Sequence, residues 1–266
     1  GVKHVVYGGE RMGVFYLEKG ASQRPSKVVY DRKYTSIAKA SIDDFNWDEI
    51  FKDTSWLHIT GITPALSEGM PDVCIYAVKH AKANGVKVSC DLNYRKNMWT
   101  EQQAKACMES IITDIDLLIA NEEDADKVLG IRAVETDVIA GKLSREGYTD
   151  VARQICSKYG VREVAITLRR SISASDNEWS ALFYTGGQPY FSKTYPIHIV
   201  DRVGGGDSFA AGLLYAKINQ FDPQRTIEYA ASASCLKHSI ELDFNLSTVD
   251  EIERLMHGDG SGRVQR

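Results

Sequence analysis

The sequence predicts an α/β protein with a doubly wound, mostly parallel sheet flanked by helices, and with a small β-sheet lid. Three observations predict this class. Short strands follow one another before Thr35, strands alternate with helices after it, and a glycine-rich turn opens an apolar helix in the last third of the chain. Alternating strands and helices are typical of βαβ units, which build a parallel sheet covered on both faces.

Composition narrows the classes of function. The chain has 266 residues, a formal net charge of -4 and 43% hydrophobic residues, which suits one large domain with a small appendage. This mildly acidic balance does not favour nucleic acid as a partner. Five scattered cysteines without a CxxC pair indicate buried thiols in a reducing cytosol, and no apolar run is long enough for a membrane helix. We therefore expect a cytoplasmic protein.

The lid is predicted for residues 1–35. Glycine and proline separate short runs of alternating residues there, a pattern that indicates antiparallel strands. Since Gly1 leads almost directly into a strand, we expect that upstream residues are missing from the lid. The predicted strands are His4–Tyr7, Gly13–Glu18 and Lys27–Asp31.

The α/β domain is predicted for residues 36–256, followed by a flexible tail over 257–266. Thr100 and Gln103, and later Thr248 and Glu251, have the spacing of capping boxes, and Gly130 is placed to end a helix. A polar loop is expected between Ser171 and Trp179. The predicted strands are Trp56–Thr60, Val86–Asn93, Asp116–Ala120 and Glu163–Leu168; the predicted helices are Glu68–Asn84, Thr100–Ile112, Glu122–Leu129, Asp150–Tyr159, Asp207–Asn219, Pro223–Ser239 and Thr248–Met256.

The glycine-rich turn carries the strongest indication of chemistry. Gly204, Gly205 and Gly206 precede the apolar helix, and glycines let the unpaired N–H groups of a helix start face a phosphate. Asp207 follows at the mouth of this anion hole, where a carboxylate can accept the proton of an attacking hydroxyl. The alternative interpretation is a glycine turn with Asp207 as an ordinary N-cap.

The same segment resembles the C-terminal signature of the pfkB, or ribokinase-like, carbohydrate kinases, D-T-x-G-A-G-D-x-F-x-x-G. It departs from that signature at Arg202 and Gly205. The resemblance implies a ribokinase-like fold, ATP and Mg²⁺ as cofactors, a monovalent cation as a further candidate, and Asp207 as catalytic base. Arg202 either adds a cation beside the phosphates or points to solvent, and we expect the second. The matching residues are Asp201, Gly204, Gly206, Asp207, Phe209 and Gly212.

Two further segments resemble nucleotide-binding parts of this family. Asn121 to Asp124 resembles its N-x-x-E motif, which implies that Asn121 positions phosphate and Asp124 binds Mg²⁺. The alternative is an acidic first turn of a helix.

The resemblance also implies that Thr167 and Arg169 contact phosphate or ribose. It further implies that Ala231 and Ser234 line an adenine pocket, and helix packing is the alternative for these two residues.

Within the family, the lid region and Asp91–Arg95 resemble the 2-keto-3-deoxygluconate kinases. The resemblance implies substrate contacts for Tyr16, Tyr30, Arg32 and Arg95. Arginine offers a planar charged fork to a sugar carboxylate, and tyrosine offers an apolar face with a hydroxyl. Arg95 also follows a parallel strand, at the end where open α/β sheets bind ligands. The alternatives are core tyrosines, a solvated Arg32, and an ion pair between Arg95 and Asp91.

The resulting expectation is a kinase that transfers phosphate from ATP to a sugar acid lying between lid and sheet. The family's first strand and glycine pair do not occur in this sequence, which again indicates a missing N-terminal segment. The lid edge is expected to form a homo-oligomer. The alternatives are a related kinase for a neutral sugar such as fructose or ribose, a nucleoside kinase, and a non-catalytic ligand-binding homologue.

Overall fold

A computed structural model describes residues 2–133 and 145–258 of the chain. Residue contacts divide it into two compact units. The first comprises Gly1–Leu17 and Val28–Ile166, and the second comprises Glu18–Lys27 and Thr167–Arg266. The predicted partition into residues 1–35, 36–256 and 257–266 stays a prediction, and its tail lies outside the described residues from residue 259 onward.

The lid contains two strands, β1 (Val14–Glu18) and β2 (Lys27–Asp31), which form a two-stranded sheet. Both strands were predicted. The predicted strand His4–Tyr7 is wrong, since these residues have no regular structure and are exposed. Alternation of apolar residues gives a segment the capacity to form a strand, but a strand needs a neighbour for its N–H and C=O groups.

The first unit is built on parallel strands, as predicted. The registers place Thr60 beside Asp91, Asp91 beside Ile119, and Ala120 beside Ile166, so the carboxyl ends of neighbouring strands lie close together. β5 is buried at every position, which is typical of a central parallel strand. The strands, in spatial order, are β3 (Trp56–Thr60), β4 (Lys87–Asp91), β5 (Leu117–Ala120) and β6 (Glu163–Ser171), the last of which continues into the second unit.

Helices of the first unit follow the predicted signals closely. The Thr100–Gln103 capping box is present, and Gly130 ends a helix in the left-handed conformation that glycine allows. The predicted helix that starts at Thr100 is shorter than expected because a separate short turn occupies Ile112–Asp114. The helices are α1 (Trp47–Phe51), which was not predicted, α2 (Met70–Ala83), α3 (Glu101–Glu109), α4 (Glu122–Leu129) and α5 (Arg145–Tyr159).

The second unit contains three strands that were not predicted: β7 (Asp176–Thr185), β8 (Gln188–Phe191) and β9 (Tyr195–His198). β7 pairs antiparallel with both of the others. The predicted polar loop to Trp179 is therefore wrong, because β7 begins at Asp176. The first residues of β7 are polar, so the sequence pattern there does not indicate a strand. The Gly186–Gly187 pair, with φ of 58° and 79°, is the sequence signal that indicates the hairpin between β7 and β8.

Three helices complete the second unit. α6 and α7 pack closely, as their small residues predicted: a Cβ on Gly212 would lie 3.0 Å from the Cβ of Ala233. The Thr248–Glu251 capping box is present. No helix in the described part of the chain combines the length and apolar character needed to cross a membrane. The helices are α6 (Gly205–Ile218), α7 (Pro223–Lys237) and α8 (Val249–Met256).

Candidate active site

The N-terminus of α6 lies where the sequence predicts an anion hole. Gly204 is the N-cap, with φ of 74° and ψ of 1°, so the alternative in which Asp207 is the N-cap is wrong. Asp207 lies in the first turn of the helix, and its side chain is exposed. The N–H groups of Gly206 and Asp207 have no hydrogen-bond partner among residues 2–133 and 145–258. These N–H groups and the positive end of the helix dipole are available to an anion.

The glycines are required by packing as well as by access. A Cβ on Gly204 would lie 2.3 Å from the carbonyl oxygen of Asp243, and one on Gly205 would lie 2.7 Å from Cε1 of His238. A Cβ on Gly206 would meet nothing within 4 Å. The turn therefore presses its first two glycines against the protein and presents the third to solvent.

Ser234 of α7 and His238, the C-cap residue of that helix, hold Gly205 in place. The Ser234 hydroxyl donates a hydrogen bond to the Gly205 carbonyl over 2.7 Å. The Nδ1 of His238 lies 2.7 Å from the Ser234 carbonyl oxygen, and burial lowers the pKa of His238 to about 4, so the ring is neutral at pH 7. Ser234 and Ala231 are fully buried. Their predicted contact with adenine stays a prediction.

Asp201 is a buried anchor for the same turn. Its carboxylate accepts hydrogen bonds from the Val203 N–H at 3.1 Å and the Leu242 N–H at 3.2 Å, and the Lys19 ammonium lies 3.3 Å away. Burial opposes the ionisation of Asp201, but these donors hold its pKa below the ordinary value. The signature aspartate thus shapes the turn, while Asp207 faces solvent.

Arg202 does not point to solvent as expected. Its half-buried guanidinium group donates to the carbonyl oxygens of Ser173 and Ala174, at 3.4 and 3.0 Å. Arg202 therefore stabilises the turn between β6 and β7, which has no glycine of its own.

The predicted nucleotide contacts on β6 lie beside this turn. Thr167 is half-buried, and the guanidinium group of Arg169 lies 5.0 Å from the centre of the Trp179 ring. Desolvation, and secondly the positive charge of Arg202, lowers the pKa of Arg169. A phosphate beside them would stabilise the charged form of both guanidinium groups. The role of Thr167 and Arg169 stays a prediction.

Asn121 and Asp124 form a second polar group, in the first unit. Asn121 caps α4, because its Oδ1 accepts a hydrogen bond from the Asp124 N–H at 2.8 Å. Asp124 is buried, and its Oδ1 accepts from the Tyr94 N–H at 3.1 Å. Burial raises the pKa of Asp124 to about 6. Asp124 thus anchors the segment that carries Arg95. Within the described residues no group of three or more His, Cys, Asp or Glu side chains could hold a metal, and the metal role of Asp124 stays a prediction.

Arg95 follows β4 on a segment that is stabilised by hydrogen bonds of Asn93. The Asn93 N–H donates to Oδ1 of Asp91, and the Asn93 side-chain amide donates to Oγ1 of Thr60. Each donor–acceptor distance is 3.1 Å. Asn93 adopts a positive φ of 36°, which turns the chain sharply. Arg95 is exposed at the carboxyl end of the strand, where the sequence predicted it.

The remaining predicted substrate residues lie on the lid. The guanidinium carbon of Arg32 lies 4.1 Å from the centre of the Tyr30 ring, and its Nη1 lies 3.9 Å from the sulfur of Met98. Tyr16 is 65% exposed and Tyr30 is 48% exposed, so the alternative in which both are core residues is wrong. The stacked pair of Tyr30 and Arg32 offers an aromatic face beside a charged fork.

Comparison with known proteins agrees with this fold. The model of the pfkB family carbohydrate kinases matches residues 1–242, and the chain belongs to that family. It is 30% identical over 252 residues to the 2-dehydro-3-deoxygalactonokinase of Haloferax volcanii, which covers 95% of this chain and 72% of the relative.

Solved structures give the same result. The crystal structure of 2-dehydro-3-deoxygluconokinase from Thermotoga maritima is 49% identical, with a TM-score of 0.90 over 94% of this chain and 75% of the other. A PfkB family carbohydrate kinase from Listeria grayi is 32% identical, with a TM-score of 0.85 over the same shares. The predictions of a ribokinase-like fold and of a carbohydrate kinase are confirmed.

Asp124→Asn tests the buried carboxyl group. Its pKa in the folded protein is raised from 3.8 to about 6, so folding favours the protonated form. That stabilisation is complete below pH 3.8 and is lost as the pH rises through 6. We expect the stability of the wild type relative to Asp124→Asn to fall by about 2 kcal/mol between pH 4 and 7, as measured by urea unfolding. The exposed Asp43→Asn variant is the control. A difference that does not change with pH would contradict the assignment.

Proposed function

We propose that this protein is an ATP-dependent kinase that converts 2-keto-3-deoxygluconate to its 6-phosphate, with Asp207 as general base and the amides of Gly204, Gly205 and Gly206 as anion hole. The observation that carries the proposal is the exposed carboxylate of Asp207 in the first turn of α6, beside N–H groups that have no protein partner among the described residues. The names of the Thermotoga and Haloferax relatives support a sugar acid as substrate.

The proposed chemistry uses few groups. Asp207 accepts the proton of the sugar hydroxyl as its oxygen attacks the terminal phosphorus in line. The amides at the start of α6 stabilise negative charge on the transferred phosphoryl group, and Asp201 and Ser234 keep those amides in position. When bound, ATP supplies the phosphoryl group and Mg²⁺ neutralises phosphate charge. A monovalent cation stays an untested prediction.

Recognition of the sugar acid is assigned to Tyr16, Tyr30, Arg32 and Arg95. The exposed guanidinium group of Arg95 and the guanidinium of Arg32 stacked on Tyr30 are suitable donors for a carboxylate. A second candidate substrate is 2-keto-3-deoxygalactonate, because the Haloferax relative is named for that epimer. Both compounds carry the carboxylate. As epimers, they differ in the configuration of one carbon that bears a hydroxyl group.

The lid is also proposed as a surface for self-association. β1 and β2 expose several apolar side chains, among them Val14 at 49% and Val29 at 52%. A two-stranded sheet leaves outer edges that can pair with another copy.

We also propose that the protein is located in the cytosol. The five cysteines are free thiols, which are typical of that reducing compartment.

Asp207→Asn is expected to lower kcat by about 1,000-fold while the Kd for ATP stays nearly unchanged, because the amide cannot accept the proton. Steady-state kinetics and calorimetric titration of ATP would measure the two effects. Asp250→Asn, which changes an acid in the first turn of α8, is the matched control and keeps wild-type activity. An unimpaired Asp207→Asn enzyme would rule out the base.

Arg32→Ala and Arg95→Ala test the carboxylate receptor. Each is expected to lower kcat/KM for 2-keto-3-deoxygluconate by about 10- to 100-fold, the effect of losing a hydrogen bond to a charged group. Lysine at either position is expected to restore part of it. Turnover of fructose or ribose, neutral sugars without a carboxylate, should not change. Equal losses on acid and neutral sugars would refute this role, and Arg24→Ala on the exposed lid hairpin is the control.

Val29→Lys tests the self-association surface, since a charge on an exposed strand opposes edge pairing. Light scattering coupled to size-exclusion chromatography is expected to show a smaller assembly than the wild type at the same concentration. Val249→Lys, which places the same charge on α8 where the side chain is 42% exposed, should leave the mass unchanged. An unaltered mass for Val29→Lys would contradict association through this strand.

A further inference from the structure

Lys237 is a fully buried lysine at the last position of α7. Its Cε lies 3.3 Å from the position that a Cβ on Gly204 would occupy, so the side chain packs against the N-cap of the anion-hole helix. Lysine is almost never fully buried without compensation, because removing an ammonium group from water is costly. An apolar side chain would fill this space without that cost, so the charge itself requires an explanation.

The ammonium group of Lys237 is compensated by polar groups of the protein. It donates a hydrogen bond to the carbonyl oxygen of Ile240 over 2.9 Å, which is the one acceptor it reaches within the described residues. Burial lowers the pKa of Lys237, whereas the charges of Asp201 and Asp243 act in the opposite direction. These two carboxylates therefore favour the charged form of the lysine.

The segment 237–243 wraps around the start of the anion-hole turn. The carbonyl oxygen of His238 accepts the N–H groups of Val200 and Asp201, at 2.9 and 3.2 Å. The Leu242 N–H donates to the Asp201 carboxylate. A change in the path of this segment would therefore move the turn, and Lys237 bonds the segment internally through Ile240.

Negative charge accumulates around the turn. Asp201 is buried beneath it, Asp207 lies on its first helical turn, and the charge of Asp207 contributes to raising the pKa of Asp243, after the effect of burial. A nucleotide phosphate would add further negative charge at the same place. Lys19 lies beside Asp201 and Glu241 at the exposed side. Lys237 is a cation on the buried side, where reduced screening by water makes a fixed charge more effective.

We propose that Lys237 is a positioning residue for phosphoryl transfer: its buried ammonium group holds the segment 237–243 against Gly204 and supplies a fixed positive charge behind the anion hole. The proposal rests on the proposed function of that turn. It adds a cation that acts through the turn without touching the substrate, and it explains why a charged side chain occupies a site that packing alone would fill with leucine or methionine.

Lys237→Met keeps the length of the side chain and removes the charge. We expect kcat to fall by about 100-fold, the effect of losing one preorganised electrostatic group, and KM for the sugar acid to change by less than about threefold. Activity is expressed per folded molecule, with the folded fraction taken from thermal unfolding. Lys158→Met is the matched control, because Lys158 lies in the last turn of α5 and also donates to a backbone carbonyl, but is exposed.

Lys237→Ala separates charge from packing. This variant leaves space for a small cation, so added ammonium or methylammonium is expected to restore kcat in a saturable way. Tetramethylammonium at the same ionic strength is too large and should not, and Lys237→Met should not respond to any of the three. If Lys237→Met does not fold, rescue of Lys237→Ala decides the question alone. Absence of rescue, or a loss of activity that only follows the loss of folded protein, would overturn the proposal.

The same assays distinguish this proposal from the proposed function. Asp207→Asn is measured beside the Lys237 variants with the same sugar acid. If Asp207→Asn is impaired and Lys237→Met is not, only the role of Lys237 fails. If Asp207→Asn is unimpaired, the base assignment fails whatever the Lys237 variants show.

Discussion

The packing of the α6 N-terminus against the segment after α7 is the contact on which the glycine turn before α6 depends. Gly204 takes a left-handed conformation and approaches the Asp243 carbonyl so closely that no Cβ fits between them. This contact fixes where α6 begins. It thereby leaves the N–H groups of Gly206 and Asp207 without protein partners among the described residues and available to phosphate.

Buried polar groups support that contact. Asp201 accepts two backbone N–H groups, Ser234 donates to the Gly205 carbonyl, and neutral His238 fills the space under Gly205. These contacts give the turn one geometry, which is what preorganised stabilisation of a transferred phosphoryl group requires. The proposed base, Asp207, is the other acid of the signature and is exposed in the first turn of α6.

The first unit shows the same division between exposed and supporting residues. Arg95 is exposed, whereas Asn93, Tyr94 and Asp124 form the hydrogen bonds that fix its segment after β4. Asp124 is a short side chain where the family motif has glutamate, and its oxygen reaches the Tyr94 N–H. A departure from a family motif can therefore reflect a different supporting contact as well as a change in ligand binding.

The sequence alone determined the features that depend on local chemistry. Capping boxes at Thr100 and Thr248, the helix end at Gly130 and the glycine turn before Asp207 all act within a few residues, so their signals are readable in order along the chain. Family resemblance added the enzyme class. Only the tertiary structure decided that His4–Tyr7 is not a strand, that β7 begins at polar Asp176, that Arg202 supports a neighbouring turn, and that Lys237 is buried against Gly204. Those outcomes depend on partners distant in the sequence, and a residue's own identity does not specify which partner the fold will bring to it.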